Sequence, residues 1–451
     1  MDKRRKRDAR EASLLALQRV EEDGAFVNLA LAEVLAAVPM ELRDKGLATE
    51  ITYGVITHRL TLDWMISQVA ARPVEKIDAL LLQILRIGFY QLFYLTRIPA
   101  SAAVHATVEL AKKGKKKGLA PFVNGVLRGA LRSHDSLPWP ERSADEAAYL
   151  TLRHAHPRWL VERWLARYGF EETEELLQAN NRPAPLTARV NTLWTTREDL
   201  LTSLAGEGVE ATPSLVALDG VVFKTGGRLT SLAAYRQGLF QVQGESAMLA
   251  AKILAPLPGE DVLDCCSAPG GKTTHLAQLM ENRGKILALD IYPHRLALVE
   301  ANCRRLKVKN VSTDCLDARR IDPAELGLFD KILLDVPCSG LGVLRRKPDL
   351  KWRSEEEDIS KLAELQKELV HAALSVLKPG GMLLYCTCTT EPEETEEVVA
   401  HALAAHRELR LEELAPSLPP QWQTGAGKLG IHLLPHRHQL DGFFFSLLKK
   451  R

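Results

Sequence analysis

No Cys-x-x-Cys pair occurs in this chain, so nothing in it marks a structural zinc site, and no metal is expected. Cysteine itself is scarce and lopsided. The seven thiols stand at 265, 266, 303, 315, 338, 386 and 388, with none earlier. An odd number confined to one half argues against a disulfide framework, and reduced, cytoplasmic thiols are the expectation. No uninterrupted apolar run is long enough to span a bilayer, and the basic stretch from Met1 to Arg10 has no apolar segment behind it. Neither membrane insertion nor a secretory signal is therefore expected. The net charge is only +2, so any affinity for nucleic acid has to come from local patches. There is no internal repeat and no low-complexity segment beyond one lysine run.

What is present points to two or three domains, since 451 residues is long for one core and 46% hydrophobic content is ample for several. Residues 1–135 read as all-helical. Leu14, Leu17 and Val20 recur at helical spacing, as do Leu31, Val34 and Leu35, and prolines at 39, 73 and 99 punctuate the segments. Two basic runs stand out here, Lys3 to Arg7 and the run Lys112, Lys113, Lys115, Lys116 and Lys117; a solvated tail or loop is the plain reading of each. Residues 136–240 combine a proline-rich linker, an amphipathic helix and a small α+β segment, with strands expected at 186–191 and 220–223 around a helix at 197–205. Residues 241–451 alternate strands and helices. Strands are expected at 261–265, 286–290, 310–314, 330–335, 381–387 and 443–448, and helices near 273–282, 293–306, 359–377 and 394–405. This pattern implies an α/β, Rossmann-like, largely parallel sheet with its ligand at the carboxyl ends of the strands.

The stretch DVLDCCSAPGGKTT at 261–274 is the first such strand, a glycine loop and a helix start. Unpaired amides in the first helical turn suit it to an anion. Gly271-Lys272-Thr273 matches the end of a nucleotide-binding phosphate loop, but Cys266 stands where that motif needs its first glycine, and Pro269 removes an amide donor. The dinucleotide fingerprint G-x-G-x-x-G is absent as well. Acidic residues then follow successive strands: Asp290 where a carboxylate can accept two ribose hydroxyls, Asp317 near an adenine amino group, and Asp335. A strand-end aspartate often only caps a helix. Three in succession outline S-adenosylmethionine, with Cys266, Ser267, Ala268, Pro269, Gly270, Gly271, Lys272, Asp290, Asp317 and Asp335 as candidate contacts.

The segments ALQRV, DKGLATEITYGVITH and FVNGVLRG resemble the NusB-type helical RNA-binding domain. DCCSAPGGKT, the DVPCSG segment at 335–340 and the YCTCT segment at 385–389 resemble the cofactor loop and two cysteine motifs of RNA cytosine-5 methyltransferases, in the bacterial ribosomal RNA branch called RsmB or Sun. The LRRKPDLKW segment at 344–352 and the DGFF segment at 441–444 are similar to parts of the same branch. The resemblance implies an S-adenosylmethionine-dependent methyltransferase domain behind a NusB-like domain and a small α+β subdomain. It also implies transfer of a methyl group to C5 of a cytosine in 16S, small-subunit ribosomal RNA, through a cysteine–C6 adduct.

In this family the nucleophile is the cysteine of the Thr-Cys motif, which corresponds to Cys388, and the Pro-Cys cysteine, Cys338, assists release of the adduct. DNA cytosine methyltransferases use a Pro-Cys nucleophile, which keeps Cys338 as a rival, and Cys386 is a further candidate by spacing. Cys265, Cys303 and Cys315 read as core thiols. Asp335 is also a candidate partner of the cytosine ring, and Lys272 of either the cofactor or the base. Arg345, Arg346, Lys347, Lys351 and Trp352 are the candidate RNA path, offering phosphate contacts and a stacking face, with a solvated loop as the alternative. If the NusB resemblance holds, the lysine run joins them. Two other functions stay open: methylation of transfer RNA, or an RNA-binding assembly factor with no catalysis. Nothing demands more than a monomer.

Overall fold

A computed structural model of the chain describes residues 8–113, 117–224, 229–414, 418, 422 and 429–451. The chain divides into two compact units, one of Met1–Arg182 with Leu344–Arg353, the other of Pro183–Val343 with Ser354–Arg451. The basic run at 3–7, and Lys115 and Lys116, lie outside the described residues. Among the described residues no helix is long and apolar enough to cross a membrane.

The first unit is helical. Its helices include Ala9–Glu22, Leu42–Thr57, Arg59–Ala70, Ala79–Tyr94, Ala100–Lys113, Ala120–Ser133 and the kinked Arg158–Asn181. Asp8, Asp78 and Asp145 cap helix starts by accepting backbone amides, which satisfies donors the first turn leaves unpaired. The helix Ala79–Tyr94 supplies the centre of the core with Leu85, Ile87 and Phe89. Tyr90 of that helix lies so close to Gly54 that a β-carbon there would fall 1.9 Å from its ring. The buried Arg86 guanidinium meets Asp63 at 2.6 Å through two nitrogens, a planar pairing that keeps both charges compensated.

The segment Leu344–Arg353 belongs to this helical unit and carries most of the expected RNA path, and its structure corrects one of those expectations, Lys351. Lys351 is buried, and its ammonium donates to the carbonyls of Thr57 and Ala155 at 3.3 Å and to Asn181 Oδ1 at 2.6 Å. Burial pushes this ammonium well below the ordinary lysine range. Trp352 packs against the helical core and donates its indole N–H to Ile56 O at 2.8 Å. The Lys351 charge is consumed in packing and presents no cation to RNA, while Trp352 is half-buried with its indole N–H engaged. Arg345 and Arg346 are half-buried and Lys347 is exposed.

The second unit holds two sheets. The small one contains β1 (Leu186–Val190), β2 (Ala211–Pro213), β3 (Gly220–Phe223) and β4 (Phe240–Val242) in the order β2-β3-β1-β4, all antiparallel, with the helix Arg197–Gly206. Its strand β4 falls at the point where the sequence pattern changes. The large sheet contains β5 (Asp261–Asp264), β6 (Lys285–Leu289), β7 (Val311–Asp314), β8 (Phe329–Asp335), β9 (Leu377–Thr387), β10 (Leu409–Leu411), β11 (Ile431–Leu433) and β12 (Phe443–Lys450). Its order is β10-β12-β9-β8-β5-β6-β7, with β11 beside β12. Strands β5 to β9 pair in parallel and β12 runs antiparallel to β9. The order reverses at β5, whose neighbours are β8 on one side and β6 on the other. A ligand crevice is expected outside the carboxyl ends there.

The carboxyl-terminal parts of β8 and β9, residues 332–334 and 383–386, are buried residue after residue, which is why they read as apolar runs. Edge strand β7 is half-exposed, and the thiol of Cys315 just beyond it is exposed rather than part of the core. One close approach ties the catalytic segments together. Gly342 N donates to Cys388 O at 2.9 Å, and Gly442 N donates to Gly342 O at 2.7 Å. A β-carbon on Gly442 would lie 2.6 Å from Gly342 Cα. Gly442→Ala is therefore expected to lower the stability of this unit by about 2–3 kcal/mol in urea denaturation, while Gly206→Ala, with open space around it, changes it by under about 0.5 kcal/mol.

Candidate active site

The site lies past the carboxyl ends of β5, β6, β8 and β9. After β5 the chain turns through Ser267, whose amide and hydroxyl both donate to Leu289 O on β6, at 2.8 and 2.9 Å. Pro269 follows a cis peptide, and Gly270 adopts φ +95°, a region closed to most side chains. A β-carbon on Gly270 would also meet Val299 Cα at 3.0 Å. The helix Gly271–Leu279 starts here with no side-chain cap, so its first-turn amides face the crevice.

This loop is braced from the small sheet. Arg189 on β1 is buried, and its guanidinium donates to Gly271 O at 2.6 Å, Thr274 Oγ1 at 3.0 Å and Gln243 Oε1 at 2.7 Å. Burial lowers this group to about 9. Sequence reading missed Arg189; a lone arginine inside an apolar strand was the only signal for it.

Asp290, at the end of β6, is buried. It accepts Tyr292 N at 3.1 Å and pairs with Arg295 at 3.2 Å. Asp317 takes the capping role: it accepts Arg319 N at 3.0 Å and its carboxylate pairs with the Arg319 guanidinium at 2.7 Å. The glycine cradle, the open helix start and the Asp290 carboxylate fit a ligand with an anionic end and a ribose. Cys266 and Ala268 lie in the same turn.

Asp335 at the end of β8 accepts from Lys272 Nζ at 2.5 Å on one oxygen and from Cys386 Sγ at 3.5 Å on the other. Burial alone would lower the Lys272 ammonium, but Asp335 outweighs that and holds it above the ordinary lysine range, with Cys386 and Cys388 adding to the effect. Lys272 Nζ also sits 5.1 Å from the centre of the Phe443 ring. Burial pushes the thiols of Cys265, Cys266 and Cys386 up, so all three stay neutral. Cys386 thus serves as a hydrogen-bond donor to Asp335.

The two remaining cysteines converge. Cys338, in the loop after β8, and Cys388, just past β9, bring their sulfurs to 3.2 Å. The hydrogen bond with Cys388, then burial, then the Cys388 charge hold the Cys338 proton far more tightly than a free thiol would. In such a pair one sulfur keeps the proton and the other can carry the charge.

Asp264 ends β5 beneath this group. It accepts Thr273 Oγ1 at 2.7 Å, while its other oxygen is buried without a partner. Burial, reinforced by repulsion from Asp335, raises its carboxyl to about 7. The folded state therefore favours the protonated acid. Its contribution is intact below the unfolded value of 3.8 and is lost as pH rises toward 7. Asp264→Asn removes that penalty. Its stability relative to the parent protein is expected to improve by about 2 kcal/mol between pH 5 and pH 8, as measured by urea denaturation at both.

Comparison with known proteins follows this geometry closely. The model of 16S rRNA methyltransferase RsmB/F matches residues 251–449, the NusB family matches 7–132, and a ferredoxin-like domain of RsmF/B-like methyltransferases matches 156–230. A probable ribosomal RNA small subunit methyltransferase B of Bacillus subtilis is 35% identical over 99% of this chain and 100% of its own. One from Synechocystis is 38% identical over 98% of this chain and 99% of its own. The crystal structure of PH0851 superposes with a TM-score of 0.81 at 29% identity, covering 98% of both chains. That of NSun6 from Pyrococcus horikoshii, solved with the S-adenosylmethionine analogue SFG, gives 0.59 at 28% identity over 66% of this chain and 99% of that one. With its glycine loop shaped for S-adenosylmethionine and a helical domain of the NusB family ahead of it, the chain belongs to the RsmB/F family of S-adenosylmethionine-dependent ribosomal RNA methyltransferases.

Proposed function

We propose that this protein methylates C5 of a cytosine in 16S ribosomal RNA, with Cys388 as the attacking thiolate and Cys338 as the group that releases the product. The observation that carries this reading is the 3.2 Å approach of two thiols from separate loops, beside the Lys272–Asp335 pair. The relatives named for small-subunit ribosomal RNA support the substrate.

C5 of cytosine is too weak a nucleophile to take a methyl group unaided. Addition of a thiolate at C6 makes the ring an enamine, rich in electrons at C5. Lys272, close enough to feel the charge on Cys388, favours that thiolate. Asp335, oriented by Lys272 and Cys386, accepts a hydrogen bond from the exocyclic amino group and steadies the ring for attack. The open helix start after Gly270 and the Asp290 carboxylate would hold the anionic end and the ribose of S-adenosylmethionine, which when bound would supply an electrophilic methyl group.

Adduct formation changes Cys338. While Cys388 carries charge, Cys338 keeps its proton. Once the Cys388 sulfur is bonded to carbon, its charge and hydrogen bond no longer add to that hold, and Cys338 can lose its proton to solvent. Its thiolate then takes the proton from C5, the C6–S bond breaks, and the bonding pair returns to Cys388. The target base has to leave its stack for this pocket, which single-stranded or bulged RNA allows at low cost. Arg345, Arg346 and Lys347 contribute phosphate contacts in this reading, while Lys112 is exposed but pairs with Glu109 at 2.7 Å. Lys113 is drawn into pairs with Glu11 at 2.5 Å and Asp8 at 3.3 Å.

Incubated with labelled S-adenosylmethionine and 16S RNA, the protein is expected to form 5-methylcytosine, and Cys388→Ala to form none. Cys338→Ala is expected to accumulate a protein–RNA adduct that survives denaturing electrophoresis. Full activity in Cys388→Ala would sink the nucleophile assignment; an inactive, adduct-free Cys338→Ala protein beside a Cys388→Ala protein that traps adduct would reverse the two roles, and a Cys338→Ala protein that turns over without an adduct would remove Cys338 from the release step.

A further inference from the structure

The turn that carries Cys338 is gripped from below by a carboxylate that the reaction itself does not use. Glu394 closes the short helical turn Pro392–Glu394 and is 0% exposed. Its Oε1 accepts from Ser339 N at 2.9 Å and from Gln366 Nε2 at 3.0 Å, and its Oε2 accepts from Ser339 Oγ at 2.5 Å. Gln366 Nε2 also donates to Pro337 O at 2.9 Å. Tyr385 completes the group, its single hydroxyl proton within reach of both Gln366 Oε1 at 3.0 Å and Glu394 O at 2.7 Å. Pro337 and Ser339 are the residues on either side of Cys338. The network therefore fixes both neighbours of the thiol and leaves the thiol itself free to face Cys388.

The groups named around the Glu394 carboxylate are donors, which is the arrangement an ionised carboxylate needs. Burial raises this carboxyl above its ordinary range while Ser339 and Gln366 pull the other way. An anion in a core costs far more than a well-packed apolar side chain unless it holds something in place.

We propose that Glu394 is a positioning residue for adduct release: it holds the Pro337–Ser339 backbone so that Cys338 Sγ stays against the sulfur of Cys388. The inference rests on the roles given above to the two cysteines. Its negative charge has a second effect, adding to the hold on the Cys338 proton in the resting pair. Sequence reading missed Glu394, because EPEETEE reads as the solvated acidic start of a helix.

Glu394→Gln keeps the size but replaces one acceptor with a donor, so either Ser339 N or Gln366 loses its partner. A loss of general structure would weaken cofactor binding and every chemical step together. Loss of positioning leaves S-adenosylmethionine affinity within about threefold by calorimetry, lowers kcat by about tenfold or more, and accumulates the denaturation-resistant adduct as Cys338→Ala does. Ser339→Ala, which removes only the hydroxyl donor, is expected to shift the same readouts in the same direction by less. A Glu394→Gln protein that binds cofactor but is slow without accumulating adduct, while Cys338→Ala does accumulate it, would overturn the inference and leave the cysteine roles standing. Absence of adduct in Cys338→Ala would overturn the roles and the inference together. If Glu394→Gln binds no cofactor, Ser339→Ala decides: adduct supports the inference and its absence overturns it.

Discussion

The catalytic unit depends on three stretches of backbone meeting at a place where no side chain fits. Gly342 offers its amide to Cys388 and its carbonyl to Gly442. The loop after β8, the end of β9 and the start of β12 are thereby locked to one another within hydrogen-bond distance. The approach of Cys338 to Cys388 depends on this contact, because their sulfurs are only as close as their backbones allow. Glycine is needed at both positions for space rather than for an unusual φ, since a β-carbon on either would overlap the other's backbone.

Around that contact, charge is graded. Lys272 and Asp335 form a compact pair at the mouth, Cys386 tilts the carboxylate from behind, and Glu394 sits beneath the second loop. Desolvation drives the Cys265, Cys266 and Cys386 thiols toward neutrality. Only in the facing pair does one sulfur's proton depend mainly on the state of the other. The thiols thus differ in how each is buried and faced: Cys265 and Cys303 fill core, Cys386 donates a hydrogen bond, and Cys338 and Cys388 face each other.

The strand–helix alternation was legible because buried parallel strands read as apolar runs and helices as periodic ones. The expected strand at 286–290 and the observed Lys285–Leu289 differ by a single residue at each end. Antiparallel β10 and β11 went unread, since three-residue strands carry no usable period. The cysteine motifs and the glycine loop were visible as residue types at fixed spacing. Arg189, Gln366 and Glu394 were not, because each acts on a residue far away in sequence, up to 85 positions for Arg189 and Thr274. The basic segment after Val343 misled for a related reason. Lysine beside tryptophan looks like a nucleic-acid contact, and only the carbonyls around Lys351 show that its charge is spent inside the protein.

Residues Leu344–Arg353 leave the catalytic unit and return to it, yet belong in packing to the helical one. The two units therefore cannot be parted by any single cut in the chain. A fragment ending near Arg182 would lack the lysine and tryptophan that fill its own interior, and one beginning at Pro183 would carry them with nothing to bury them in. The join is therefore more than one linker: a ten-residue stretch from the second half of the chain completes the packing of the helical unit.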